Sequence, residues 1–336
     1  MLGLSRRHHY MPRIEMGGRD ARARGRTAHA PGQIPAKGWK DILWRVWEEQ
    51  SKDNISMIAA GVAYYAILAL FPAIAAAVSI YGLVADPGTI EGQFDTLAGF
   101  LPGEALQVLK DQARMVASAP SGGLSIGVAV GLLFTLWSAS RGVNALIGAL
   151  NIAYEEEEKR GFIRLAVTSV VMTLGGILFL IVTLAVVVVV PTILNLVPLG
   201  PTWEWAVRLV RWPILGAAIL LALAVLYRYA PSRAEPKWRW VTWGSVAAGG
   251  IWLLGSIGFS IYVANFGNYN EAYGSVGAVV ILLLWLNLTA YAILLGAELN
   301  AEMEHQTAKD TTDAPEKPMG QRGARMADTL GEKKTA

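Results

Sequence analysis

The stretch GGLSIGVAVGLLFTLWSASRGVNALIGALNIAY, residues 122–154, decides the fold. Eighteen residues without a charge, Gly122 to Ala139, run into Arg141, Asn144 and Asn151. The segment 122–143 exceeds the roughly 20 residues that cross about 30 Å of hydrocarbon at 1.5 Å per residue. It therefore predicts a membrane span. The cation and two amides then mark either a working site inside the membrane or a helix end reaching water.

Outward from this stretch, five more segments have the same character: 57–85, 165–190, 207–227, 241–264 and 275–298. Composition agrees. Of 336 residues, 54% are hydrophobic and 16% charged, against about 25% charged in a soluble domain. The charges crowd the first 55 residues and the last 40. The predicted fold is an all-α, polytopic membrane protein with six transmembrane helices. Pro72 lies inside the first span and is expected to kink it. Val186–Val190 is a β-branched run, but a single span in lipid can only be helical.

Around the six-helix domain of residues 37–305, two tails are expected to be disordered and cytoplasmic: a basic one at 1–36 and a polar one at 306–336. Between tail and spans, WKDILWRVWEEQ (39–50) sets Trp39, Ile42, Leu43, Val46 and Trp47 at helical spacing. That pattern predicts an amphipathic helix at the membrane interface, with packing on another cytoplasmic element as the alternative. The loop 86–121 reads as short periplasmic helices bounded by Pro87, Pro102 and Pro120.

Orientation follows from Lys and Arg. Residues 1–56 hold 11, the connections 140–164 and 227–240 hold 4 each, and the tail from 301 holds 6. The other three connections hold 2, 2 and 0, a split of 25 against 4. The positive-inside rule puts both termini in the cytoplasm, and an even span count agrees.

Four motifs then occur in one order: AAGVAYYAILALFP (59–72), LWSASRGVNALIGALNIAY (136–154), YRYAP (227–231) and YGSVGAVVILLLWLNLTAYAILLGAELNAE (273–302). Over about residues 40–305 the chain resembles the YihY/BrkB family of bacterial inner-membrane proteins. The resemblance implies a multi-pass protein of the cytoplasmic (inner) membrane with six spans and a poorly defined activity. Members have carried two labels, virulence factor and ribonuclease BN.

The residues speak against nuclease chemistry, which needs His or carboxylates, or metals held by them. There is no cysteine, and His8, His9, His29 and His305 lie in the tails or at the final helix end. The acidic run EEEEKR (155–160) points around a helix rather than converging. No metal, cofactor or specific nucleic acid is expected. The Arg-rich segment RDARARGR (19–26) suits anionic phospholipids among the surrounding membrane lipids. A homo-oligomer is compatible with the sequence.

Depth counting groups the polar residues. Arg141 lies 19 residues beyond Gly122, about 28 Å along the helix, which puts it near the inner interface. Glu298 lies 23 residues beyond Ser275, about 34 Å along, at the same level. Asp53, Asn54, Arg228 and Asn300 join them there. At 100° per residue, Arg141, Asn144, Gly148 and Asn151 share a stripe about 80° wide. The expected site is a polar, cytoplasm-facing cavity of Asp53, Asn54, Arg141, Asn144, Asn151, Arg228, Glu298 and Asn300. Within it Arg141 or Arg228 pairs with Glu298. The expected function is transport or translocation of a lipid, anionic amphiphile or solute. A non-transporting structural or regulatory envelope protein is the alternative.

Overall fold

The computed structural model describes residues 18–81, 126–196, 201–266, 276–313 and 315–334, with isolated positions between 106 and 114. Among the described residues the chain is helical: α1 (Arg19–Ala23), α2 (Ala36–Lys52), α3 (Ile55–Tyr81), α4 (Ile126–Ala153), α5 (Phe162–Leu196), α6 (Pro201–Tyr229), α7 (Trp238–Phe266), α8 (Val276–Gln306) and α9 (Arg325–Asp328). One isolated bridge joins Pro236 to Thr312. Of the expected periplasmic helices, only Leu106, Gln107, Lys110, Asp111 and Arg114 fall inside the described residues, and they are helical.

The helices form because long apolar runs must satisfy their own backbone in lipid. Among the described residues four are long and apolar enough to cross a membrane: Phe162–Thr183, Trp212–Tyr229, Trp238–Asn265 and Gly277–Gln306. A fifth results if α2 and the start of α3, bent by 63°, count as one broken span. The bend sits at Asn54, whose backbone is left-handed (φ 53°), a conformation that asparagine tolerates better than most residues. The Asn54 carbonyl accepts from the N–H groups of Met57 and Ile58, which starts α3.

The bundle is built around α8, which packs on α7, α3, α2, α4 and α9. Its crossing with α7 is close because glycines face each other. A Cβ at Gly296 would lie 2.6 Å from the Gly244 carbonyl and 2.7 Å from Ala248 Cβ. The core gathers Ile55, Leu150, Tyr154, Tyr227, Leu294 and Met326 at one end of the bundle. Elsewhere the helices present apolar side chains outward, including Val167, Val171, Leu178 and Val182 on α5 and Leu254 and Ile261 on α7. Exposed apolar area on this scale fits a membrane exterior.

At the core end the structure corrects the expected tails. Residues 18–36 and 307–334 fold over the end of α8, with Met326, Ala327, Thr311 and Thr312 buried. Arginines hold these segments by their carbonyl groups. Arg26 donates to His305 O, Gln306 O and Gly331 O, the last at 2.6 Å. Arg322 donates to Ala308 O, Lys309 O and Ala327 O. The two segments also meet directly, through Lys333 on Asp20 at 3.0 Å, and Arg45 of α2 donates to Glu332 O at 2.8 Å. Composition misses such a cap because arginine-to-carbonyl bonding has no hydrophobic period.

The interfacial helix is corrected in part. In α2, Ile42 and Arg45 are buried, and Trp39 and Val46 pack with Ile42, Trp240 and Met303. Leu43 and Trp47 remain exposed. The helix thus packs on α8 with one side and keeps an apolar edge free.

Candidate functional site

The residues expected in one layer lie at two depths. Arg141 is the sixteenth of the 28 residues of α4, counting from Ile126. At its neighbour Gly142, an added Cβ would lie 2.9 Å from Ala69 Cβ, and Ala69 is 14 residues beyond the start of α3 at Ile55. That is about 20 Å into the bundle at 1.5 Å per residue. α4 continues for 12 residues past Arg141, to Ala153. Arg141 is exposed, with its guanidinium 4.6 Å from the centre of the Trp137 ring. Asn144 and Gly148, on the same stripe, are also exposed.

Asn151 belongs to the stripe by spacing but is buried and has a structural role. Its Oδ1 accepts from the Ser232 N–H at 2.7 Å, and its Nδ2 donates to Glu158 Oε2 at 3.0 Å. It thereby ties the α4–α5 connection to the α6–α7 connection. Asn300 does the same between helices: its Oδ1 accepts from the Gly244 N–H at 2.8 Å, and its Nδ2 donates to Val241 O. Asn54 forms the exposed α2–α3 turn, with its Nδ2 on Lys52 O.

Neither proposed partner reaches Glu298. Arg228 is buried at the end of α6 and donates to Asp313 Oδ2 at 2.5 Å, to Glu235 Oε2 at 3.1 Å and to Pro236 O. Its guanidinium also lies 4.9 Å from the Trp238 ring centre. The Pro236–Thr312 bridge brings Asp313 within reach, from the segment expected to be disordered. Glu298, only 1% exposed, forms no ion pair among the described residues, and its Oε1 is buried without a hydrogen-bond partner. Asp53, the C-terminal cap of α2, sits nearby. Burial, with Glu49 and Glu155 beside it, raises the Asp53 carboxyl to about 6.

Sequence reasoning missed the buried ion pairs. Arg45 of α2 contacts Glu302 of α8 and donates to Gln306 Oε1 at 2.8 Å. Arg233 meets Glu304 at 2.5 Å with both side chains fully buried, and its guanidinium lies 4.4 Å from the Tyr154 ring centre. The available signal was the carboxylate series Glu298, Glu302 and Glu304 at the end of one helix, more acid than a helix end requires. The run 155–158 is engaged too. Glu155 pairs with Arg325, Glu156 with Lys159, and Glu158 with Arg160. The Arg160 hydrogen bonds hold the Glu158 carboxyl down at about 2. Among the described residues, no group of three or more His, Cys, Asp or Glu could hold a metal ion.

In sequence the chain is similar to several bacterial proteins, most of them named membrane proteins. The chain is 30% identical over 249 residues to the ribonuclease-like protein YfkH of Bacillus subtilis, covering 72% of this chain and 88% of that relative. It is 30% identical over 308 residues to a UPF0761 membrane protein of Rhodospirillum centenum, covering 88% of this chain and 64% of the relative. A UPF0761 membrane protein of Pseudoalteromonas translucida is 28% identical over 266 residues, covering 78% and 85%. No solved structure matches. The profile of the virulence factor BrkB family matches residues 46–320, and the chain belongs to that family of membrane proteins.

Proposed function

We propose that the protein spans the inner membrane six times, with both termini cytoplasmic, and moves an anionic lipid, amphiphile or solute along the α4 face of Arg141, Asn144 and Gly148. The observation that carries this reading is the exposed guanidinium of Arg141 midway along a helix of 28 residues. An arginine at mid-membrane depth costs about 2.5–3.5 kcal/mol on insertion scales, and such residues mark substrate or ion paths. Arg141 has no ion pair among the described residues, so its charge is available to a phosphate or carboxylate headgroup.

The topology has independent support. The α4–α5 connection, the α6–α7 connection and both folded tails meet at one end, through Arg325 on Glu155, Lys159 N–H on Ser232 and Ala234 N–H on Gly323 O. These are the segments rich in Lys and Arg, as a cytoplasmic face should be. With α3 at 27 residues and α4 at 28 added to the four apolar helices, the count reaches six. Exposed Leu43 and Trp47 on α2, with Met57, Phe162 and Ile163, suit the inner headgroup level.

A structural or regulatory role is the second reading. It is favoured by the ion pairs and amide clamps that close the cytoplasmic end, where Asn151, Arg228 and Asn300 all serve packing. Reconstitution into liposomes decides between the two. Labelled anionic phospholipids, lipid-linked substrates and soluble anions should include one whose flux requires the protein and falls in Arg141→Gln. A folded, reconstituted protein that moves none of them would overturn the transport reading.

A further inference from the structure

Glu298 lies in the part of α8 where Leu294, Ala297 and Ala301 are fully buried. One turn on, Glu302 is equally buried but meets Arg45. Among the described residues Glu298 has no such cation. Among the described residues, the strongest charged influences on it are Asp53 and Glu49 at the end of α2, Glu155 after α4, and Glu302 on its own helix, all acidic. Of the cations on α2, Lys52 pairs with Glu49 and Arg45 with Glu302. From the other elements packed on α8, α3 carries no charged residue, α4 carries only the distant Arg141, and α7 carries only the exposed Arg239. In α9, Arg325 is taken by Glu155 and Asp328 is bonded to the 320–323 backbone. Tyr154, within electrostatic reach, has a hydroxyl that is likewise buried without a hydrogen-bond partner among the described residues.

An ionised carboxylate in this position would be a desolvated charge without a counter-ion, facing four further acids. A proton removes that conflict, because a buried acid without a partner is tolerated in its neutral form. We propose that Glu298 is a proton-binding site, occupied while the cytoplasmic end is closed and vacated when that end opens to water. The site is distinct from the Arg141 face: it holds a proton, whatever the α4 face contacts. Opening is what brings water, so proton release and loosening of the segment 307–334 over α8 occur together.

Infrared spectroscopy of the full-length protein tests the site directly. At neutral pH the wild type should show the carbonyl band of a protonated carboxyl group, and Glu298→Gln should lose it. A spectrum identical in that region for the two proteins would overturn the proposal. Hydrogen exchange of the amides in 307–334 gives the second readout. Relative to the intrinsic base-catalysed rate, protection of these amides should fall as pH rises in the wild type and lose that dependence in Glu298→Gln. If Glu298→Gln fails to fold, dicyclohexylcarbodiimide labelling of the wild type replaces it, since the reagent adds to protonated carboxyl groups in apolar surroundings. An adduct on Glu298 and none on Glu302 is expected, and the reverse pattern would overturn the site.

Discussion

At the capped end of the bundle, Arg45, Arg228 and Arg233 have buried side chains and each meets a carboxylate, whereas Arg141, midway along α4, is exposed and stacks on Trp137. The difference separates structural charge from available charge. Where water is excluded by protein, an arginine needs a carboxylate partner, since removing one member strands the other. Where a helix faces the membrane or a partner, an arginine without a carboxylate retains its attraction for an anion. The acids divide in the same way: Glu302 and Glu304 are paired, and Glu298 is not.

The comparison is broken most directly at Arg233 and Glu304. Arg233→Ala should lower stability by about 3–5 kcal/mol, because it leaves Glu304 buried without its cation. Thermal unfolding in detergent measures this, and replacing both members by apolar residues should recover much of the loss. Gly296→Ala should cost less, about 1–3 kcal/mol, since its Cβ meets the Gly244 carbonyl and the Tyr227 hydroxyl. Asn151→Ala should cost about 1–2 kcal/mol by leaving the buried Ser232 N–H without its acceptor. A loss as large as that for Arg233 would place Asn151 in a wider network than its two hydrogen bonds.

Asp53 gives a pH-dependent case. Its folded carboxyl titrates at about 6 against an ordinary value of 3.8, so the native state binds the extra proton between those values. Wild-type stability therefore falls as pH rises through that window. Asp53→Asn should raise the melting temperature at pH 8 and lose that advantage toward pH 3.8. The smallest effect on stability belongs to Arg141→Gln, near zero or slightly stabilising, because a costly membrane charge is removed. A large destabilisation there would place Arg141 among the structural arginines and remove the contrast.

Much of the fold was legible in the chain because the bilayer imposes length and polarity on each segment independently of its neighbours. Of the expected spans 57–85, 122–143, 165–190, 207–227, 241–264 and 275–298, the described parts are helix, while 82–85, 122–125 and 275 lie outside the described residues. The candidate site was legible only as a set of residue types. Asn151, Arg228 and Asn300 stand out along the chain as polar residues near apolar runs, but their partners Ser232, Asp313 and Gly244 are set by how connections and helices meet.

By itself the sequence determined that this is a multi-helix membrane protein, which segments are apolar enough to enter lipid, and that its basic segments alternate with sparsely charged ones. These properties are local sums over a segment. The tertiary structure alone decided that Gly142, beside Arg141, packs on Ala69 of α3, and that residues 307–334 close over α8. It also decided that, among the described residues, Glu298 is left without a cation while Glu302 has one. Pairing depends on which faces of different helices meet, and no count along one strand of sequence contains that information.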